Sequence, residues 1–302
     1  MGKVNKILKD PYFVIGRFLM KNYPKLMSDK FFIKVLWRQS IGTKLNLDNP
    51  TTFNEKLQWL KLNNRDALLI NLVDKKTAKE WVADRIGKEY VIQTLGVYDS
   101  VDEINLEALP DQFVLKCNHD CGSVVVCRNK NDFDIESAKK KLNDSLKKNY
   151  YWDSREWPYK KIRRCVIAEE FLTDGDTSEL CDYKVHCFNG VPKLVLVCKD
   201  RHSETGLTED FFTEKWEHLE LKRPAHPNSL ETIQKPEQLE EMLSLSRKLS
   251  KDFPFVRVDW YISNDKLYFG ELTFFPASGM SPFVPDSYDN LFGSWLELPE
   301  RK

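Results

Sequence analysis

Apolar positions recur at helical spacing through the first third of the chain and then shorten into β-branched runs, so helices come first and antiparallel hairpins follow. Residues 1–90 are expected to be mostly helical. Within them, 54–60 carries Leu57, Trp59 and Leu60 on a helical pattern, with Thr51 or Thr52 placed to cap it. Residues 74–86 predict a second, charged helix ended by Gly87. Segments 113–117 and 124–127 read as strands separated by a short polar loop, 135–150 as a Lys-rich helix, and 166–172 as another strand. The strongest hairpin signal is 182–188, then Asn189-Gly190, then 191–198, because Asn-Gly suits a type I′ turn. Residues 200–235 are polar and punctuated by Pro, which reads as an excursion. A helix over 236–249 then precedes a last hairpin, 255–262 with 267–275. This order predicts an α+β fold.

Charge changes that picture in one place. The 302 residues hold 46 Lys and Arg against 46 Asp and Glu. A net charge of zero excludes the coating of nucleic acid as the main activity, which needs a basic field. The zero is a sum, however. Residues 1–45 contain ten basic residues and only two acids, Asp10 and Asp29, so an excess of +8 stands against −8 in the remaining 257. Apolar residues from Tyr12 to Trp37 are interspersed with those cations. The pattern reads either as basic amphipathic helices for an anionic membrane surface or polymer, or as packed helices with Lys outward. Composition adds a globular profile, 41% apolar and 30% charged. Seven Cys without a Cys-x-x-Cys pair, no cleavable signal pattern at the start and no apolar run of ~18 residues point to a reducing, intracellular compartment.

The last hairpin carries the clearest chemistry. If its loop is Asn264-Asp265-Lys266, or any odd-length loop with that centre, Asp259 stands directly opposite Glu271. Arg257, Asp259, Tyr261, Glu271 and Thr273 then share one face, and Val258, Trp260, Ile262, Leu272 and Phe274 the other. Opposed carboxylates on paired strands lie ~5 Å apart at Cβ and repel. A hard divalent cation such as Mg²⁺ would compensate, and a plain Arg–Asp–Glu network would do so as well. Lys116 ends an apolar strand, where an ammonium needs an anion. The following Asn118-His119-Asp120-Cys121-Gly122-Ser123 can turn backbone N–H groups toward phosphate. Lys184 is a second lysine borne on a strand. Two such lysines and a carboxylate pair match what a nucleoside triphosphate with its metal requires.

Taken in order, Phe53-Asn-Glu-Lys56, Lys116 to Ser123, Ala168-Glu-Glu-Phe-Leu172, Asp182-Tyr-Lys184, Arg257-Val-Asp259 and Glu271-Leu-Thr273 resemble the ATP-grasp superfamily. The resemblance is closest to the TupA-like ATP-grasp group associated with bacterial surface-polysaccharide gene clusters, and it covers residues 30–285. It implies two α+β subdomains clasping ATP behind a helical N-terminal region: 1–90 helical, 91–170 the lid, and 171–302 the C-terminal metal and substrate subdomain. By the same resemblance, Lys116 and Lys184 hold ATP phosphates under a loop containing Asn118, His119, Gly122 and Ser123. Glu169, Glu170, Phe171 and Leu172 line the adenine pocket, and Glu169, Glu170 or Asp176 reaches the ribose. Asp259 and Glu271 ligate Mg²⁺, while Arg257, with Lys184, stabilises charge on the transferring phosphoryl group. Thr273 stands where the family commonly has Asn, and its hydroxyl joins the metal ligands directly or through water.

The implied reaction is ATP-dependent amide formation between a carboxylate and an amine, either small molecules or glycans, which joins an amino acid or similar amine to a surface-polymer precursor. Residues 200–235, with Arg201, His202 and Trp216, are expected to face substrate. The implied location is cytoplasmic, with a peripheral membrane contact through 1–45 at the inner face as an option. Asp259→Asn is expected to abolish ATP turnover and leave the fold intact. Rival readings are a small-molecule kinase on the same residues and a glycosyltransferase using Asp174-Gly175-Asp176. Zinc at Cys117, His119, Cys121 and Cys127 fits no standard spacing, and Cys181 and His186 fall on opposite strand faces.

Overall fold

The computed structural model describes residues 11–173, 180–199 and 206–300. Helices α1 (Pro11–Asn22), α2 (Asp29–Ser40), α3 (Phe53–Asn63), α4 (Leu68–Val73) and α5 (Thr77–Ile86) come first. Thr52 caps α3 with a capping box: its hydroxyl accepts from Glu55 N, and the Glu55 carboxylate accepts from Thr52 N. Gly87, at φ +116°, ends α5.

Two antiparallel sheets follow. In the first, β1 (Thr94–Tyr98), β2 (Phe113–Cys117), β3 (Val125–Cys127) and β4 (Val166–Glu170) lie in the order β1-β4-β2-β3. Helix α6 (Ile135–Leu146) covers one face, where Leu142 packs with Phe113, Leu115, Cys117 and Ala168. The short α7 (Tyr151–Ser154) leads back into β4. In the second sheet, β5 (Asp182–Phe188), β6 (Val191–Lys199), β7 (Thr208–Thr213), β8 (Phe255–Ser263) and β9 (Lys266–Thr273) lie in the order β7-β6-β5-β8-β9. It is backed by α8 (Leu239–Ser250), whose Ser246 hydroxyl receives the Trp260 indole N–H at 2.9 Å. The fold is α+β, and α3 to α5 share the hydrophobic core of the second sheet rather than forming one of their own.

The β5–β6 hairpin turns on Asn189 (φ 47°) and Gly190 (φ 79°), as a type I′ turn requires. Of the 200–235 segment, residues 206–235 are described, and they are more ordered than their polarity suggests. They supply β7, whose buried Glu209 is held by Arg223 and whose Asp210 faces His218 at 3.0 Å.

The C-terminal α9 (Ser287–Trp295), which the polar pattern did not announce, locks α3 in place. Asn54 N donates to Asp289 Oδ1 at 2.9 Å, and Lys56 Nζ donates to Gly293 O at 2.8 Å and Leu296 O at 2.6 Å. A Cβ at Gly293 would sit 2.1 Å from Thr51 O and 2.8 Å from Phe53 N, backbone atoms that cannot swing aside. Gly293→Ala is therefore expected to destabilise the protein by about 1–3 kcal/mol, the usual cost of overpacking. A urea melt reads this directly, and an unchanged midpoint would mean that α9 can ride outward without loss.

Candidate functional site

On the first sheet, Val114 pairs with Glu169 and Lys116 with Ile167, so Lys116 and Glu169 are diagonal neighbours on one face. Their charged ends meet at 2.5 Å. A third group arrives from α5: Lys79 Nζ lies 2.5 Å from the other Glu169 oxygen and donates to Ile92 O and Thr94 Oγ1, both at 2.9 Å. Glu169 is 3% exposed. Burial alone would raise its pKa, but Lys116 and Lys79 outweigh burial and hold the carboxyl below its ordinary range. Burial lowers the Lys79 ammonium, more than Glu169 restores it. Glu170 is exposed at the strand end, and Phe171 lies 5.4 Å from the Arg128 guanidinium.

The loop after Lys116 is braced from within. Asn118 is fully buried, with Oδ1 accepting from Cys165 N at 2.9 Å and Nδ2 donating to Arg163 O at 3.0 Å. Ser123 Oγ accepts from Cys117 N at 2.8 Å and donates to Asp120 Oδ1 at 2.5 Å. His119 is 2% exposed, and burial lowers its pKa. Asn118 and Ser123 thus brace the loop, His119 is buried within it, and Cys121 and Gly122 form its exposed tip. Open space surrounds Gly122, with no atom within 4 Å of where a Cβ would stand.

On the second sheet, Asp259 pairs with Glu271 on one side and with Lys184 on the other. The route to that register differs from the expectation. The turn is two residues, Asn264 (φ 50°) and Asp265 (φ 62°), which would place Asp259 opposite Gly270. A β-bulge between Asp259 and Trp260 absorbs Gly270 and returns the carboxylates to opposition. Glycine suits the bulge, because a Cβ would come 3.0 Å from Tyr261 Cε2 and 3.2 Å from Asp259 O, contacts that Tyr261 would have to yield to.

Cations fill the space between these acids. Arg257 grips Asp259 with Nε and Nη2, each at 2.6 Å, and its Nη2 reaches Glu271 at 3.4 Å and Thr273 Oγ1 at 3.0 Å. Lys184 Nζ lies 2.8 Å from Asp259 and 3.3 Å from Asp182. Thr273 Oγ1 donates to Glu271 Oε1 at 3.2 Å. Lys75 Nζ lies 3.1 Å from the other Glu271 oxygen and 2.5 Å from Asp120 O, so it ties β9 to the loop of the first sheet. Burial would raise the Glu271 pKa, but Lys75, Arg257 and Lys184 hold it far below the carboxylate range. Burial would likewise lower Lys184, but Asp259 and Asp182 lift it above the ordinary lysine value.

The structure thus gathers Lys116 with Glu169, and Lys184, Arg257, Asp259, Glu271 and Thr273 with one another. Lys75, Lys79 and Asp182 are additional members that sequence reasoning missed as site residues. Lys75 and Lys79 sit in a stretch that reads only as a charged helix, and nothing in its periodicity points to partners on two sheets. Trp216 stacks on Phe212 (4.4 Å, 10°) and donates its indole N–H to Ile233 O, so it is packed into the second-sheet body. Arg201, His202, Asp174, Gly175 and Asp176 lie outside the described residues.

Among the described residues, no three His, Cys, Asp or Glu side chains converge as a metal site. The oxygens a cation could recruit are those of Asp259, Glu271 and the Thr273 hydroxyl, which here are engaged by Arg257, Lys184 and Lys75. Their chemistry suits Mg²⁺, a hard ion that keeps water and phosphate oxygens for the rest of its shell.

The family described as TupA-like ATP-grasp matches residues 55–297. No curated protein matches. Among solved structures, the chain is similar to a D-alanine–D-alanine ligase from Bacillus anthracis in complex with ATP, with 15% identity, 68% of this chain and 55% of that one covered, and a TM-score of 0.40. It is also similar to the D-alanine–D-alanine ligase of Helicobacter pylori, with 14% identity, coverages of 74% and 61%, and a TM-score of 0.40. A third is the ATP-grasp ligase PsnB in complex with a minimal precursor, with 12% identity, coverages of 73% and 59%, and a TM-score of 0.41. The chain spans 55% to 61% of the length of these three proteins.

Proposed function

The chain belongs to the TupA-like ATP-grasp family, and from that premise we propose that it is an ATP- and Mg²⁺-dependent carboxylate–amine ligase. Its product is an amide that joins an amino acid or similar amine to a surface-polysaccharide precursor. The observation that carries the chemistry is the cation cluster facing both sheets: among the described residues, Lys75, Lys79, Lys116, Lys184 and Arg257 form ion pairs with four acids, Glu169, Asp182, Asp259 and Glu271. That arrangement suits a polyanion bound together with a divalent cation. The substrate class comes from the family resemblance. The division into a lid at 91–170 and a catalytic part at 171–302 belongs to the same reading, as does a cytoplasmic site of action against the inner face of the membrane.

In this reading, the carboxylate substrate attacks the γ-phosphorus of ATP and ADP leaves with the bridging oxygen. The acyl phosphate is then attacked by the amine, which loses a proton as inorganic phosphate departs. Lys116 holds the phosphates nearer the adenine, under the Cys121–Gly122 tip. Lys184 and Arg257 neutralise charge on the phosphoryl group in flight, where fixed donors act without reorganisation. The backbone at Glu169–Leu172 edges the base. Asp259, Glu271 and Thr273 would hold Mg²⁺, which when bound neutralises phosphate oxygens.

A thermal-shift comparison tests the first half of this. Mg·ATP at about a hundred times its Kd should add about 2.7 kcal/mol of stability, and UDP-sugars should add none. Stabilisation by a UDP-sugar alone would overturn the nucleotide assignment. Free phosphate release should require both an acid and an amine; phosphorylated product without free phosphate would instead identify a kinase.

A further inference from the structure

Helix α1 uses only part of its circumference on the rest of the protein. Phe13 is buried, and Gly16 lies so close to α2 that a Cβ would come 2.5 Å from Val35 Cγ2. Leu19 and Met20 complete that face on Met27, Phe32 and Val35. The opposite arc is apolar too, and among the described residues nothing covers it. Tyr12, Val14, Ile15 and Phe18 are exposed, and Tyr23 and Leu26 continue the patch beyond the helix, with the Phe18 and Tyr23 rings 6.1 Å apart. Six of the twelve exposed large hydrophobic residues among those described fall between residues 12 and 26. Scattered surface hydrophobics need no explanation, but a cluster of this kind does.

The charges that border the patch in the sequence have one sign. Arg17, Lys21, Lys25, Lys30 and Lys34 are exposed, and no acid occurs from residue 11 to residue 28. Asp29, the first acid after the patch, is already engaged by the Tyr151 hydroxyl at 2.5 Å and by Arg65 at 3.5 Å. Among the described residues, none of the five cations has a carboxylate within ion-pair distance, in contrast to Lys75, Lys79, Lys116 and Lys184. No described helix is long and apolar enough to cross a membrane. The hydrophobic arc edged by cations has the form of a helix that lies in a bilayer interface.

We propose that residues 12–26 form an interfacial anchor, in which Ile15, Phe18 and Leu26 enter the boundary between headgroups and acyl chains of an anionic bilayer while Arg17, Lys21, Lys25, Lys30 and Lys34 contact its headgroups. This identifies the element that makes the peripheral contact proposed above, and it does not depend on the ligase chemistry. A bilayer fits better than a protein groove because the five cations ask for an extended anionic surface and the apolar residues ask for no fixed shape.

Vesicle flotation of the full chain tests the anchor. The wild type should float with phosphatidylcholine vesicles containing about one third phosphatidylglycerol. It should bind phosphatidylcholine alone about tenfold more weakly and lose most binding in ~1 M salt, where the Debye length falls to ~3 Å. Phe18→Glu with Leu26→Glu should abolish flotation. Because both side chains are exposed, this variant should keep the wild-type melting temperature and the Mg·ATP shift, so failure of the anchor is read separately from failure of the ligase assignment. Equal flotation of the variant, or none by the wild type, would overturn the proposal. So would sedimentation as a dimer that the same variant dissociates, which would make a second copy the occupant.

Discussion

Asp259→Asn is expected to cost about 10²–10³-fold or more in ATP turnover and, in addition, about 3 kcal/mol of stability. The second effect is absent from the sequence argument, which expected the fold to be untouched. Asp259 is 3% exposed, and both of its oxygens are committed, to Arg257 Nε and Nη2 at 2.6 Å and to Lys184 at 2.8 Å. Asparagine keeps the shape but presents an amide N–H₂ and no charge to cations that stay buried. Removing one partner of a buried pair typically costs 3–5 kcal/mol. The low end applies here, because Asp182 still faces Lys184 and Glu271 still faces Arg257. Turnover falls for a different reason: the variant loses a proposed Mg²⁺ ligand and the group that fixes the Arg257 fork. Phosphate-release kinetics beside a denaturant melt separate the two effects. Wild-type turnover in the variant would remove Asp259 from the metal site.

Local features of this fold were legible because they depend on near neighbours. The Asn189-Gly190 turn, the β2 strand and the Thr52 cap of α3 follow from a handful of adjacent residues. The Asp259–Glu271 pairing was anticipated by a route the structure replaces, since an odd-length loop was expected where a two-residue turn and a bulge at Gly270 reach the same opposition. What pattern could not reveal was the set of long-range ion pairs. Lys79 meets Glu169 and Lys75 meets Glu271, residues far apart in the chain, and side-chain chemistry at such a distance leaves no period to detect. Strand β7 escaped for a related reason. Thr208-Glu209-Asp210 reads as a polar loop until Arg223 and His218 are placed against the two acids, which makes their burial affordable.

Glu169→Gln should be the most destabilising single change on the first sheet, by about 3–5 kcal/mol near neutral pH, because one carboxylate serves two lysines. Lys79 and Lys116 each lie 2.5 Å from a Glu169 oxygen, with side chains only 9% and 13% exposed. Without the carboxylate, the two ammonium groups face each other with no anion between them. The pH dependence keeps its sign but moves from the acid to the alkaline range. In the wild type, the Glu169 pKa is depressed, so its contribution is present above the unfolded carboxyl value, about 4.5, and is lost as pH falls through the folded one. In the variant, Lys79, already lowered by burial, titrates lower still. The unfolded chain then binds more protons through the alkaline range, and stability rises with pH there. Removing a cation along with the anion supplies the control: Lys79→Met combined with Glu169→Gln should recover more than half of the loss in denaturant melts. If the two substitutions instead add, Lys79 and Glu169 are not coupled, and the ion pair is not what holds β4 to α5.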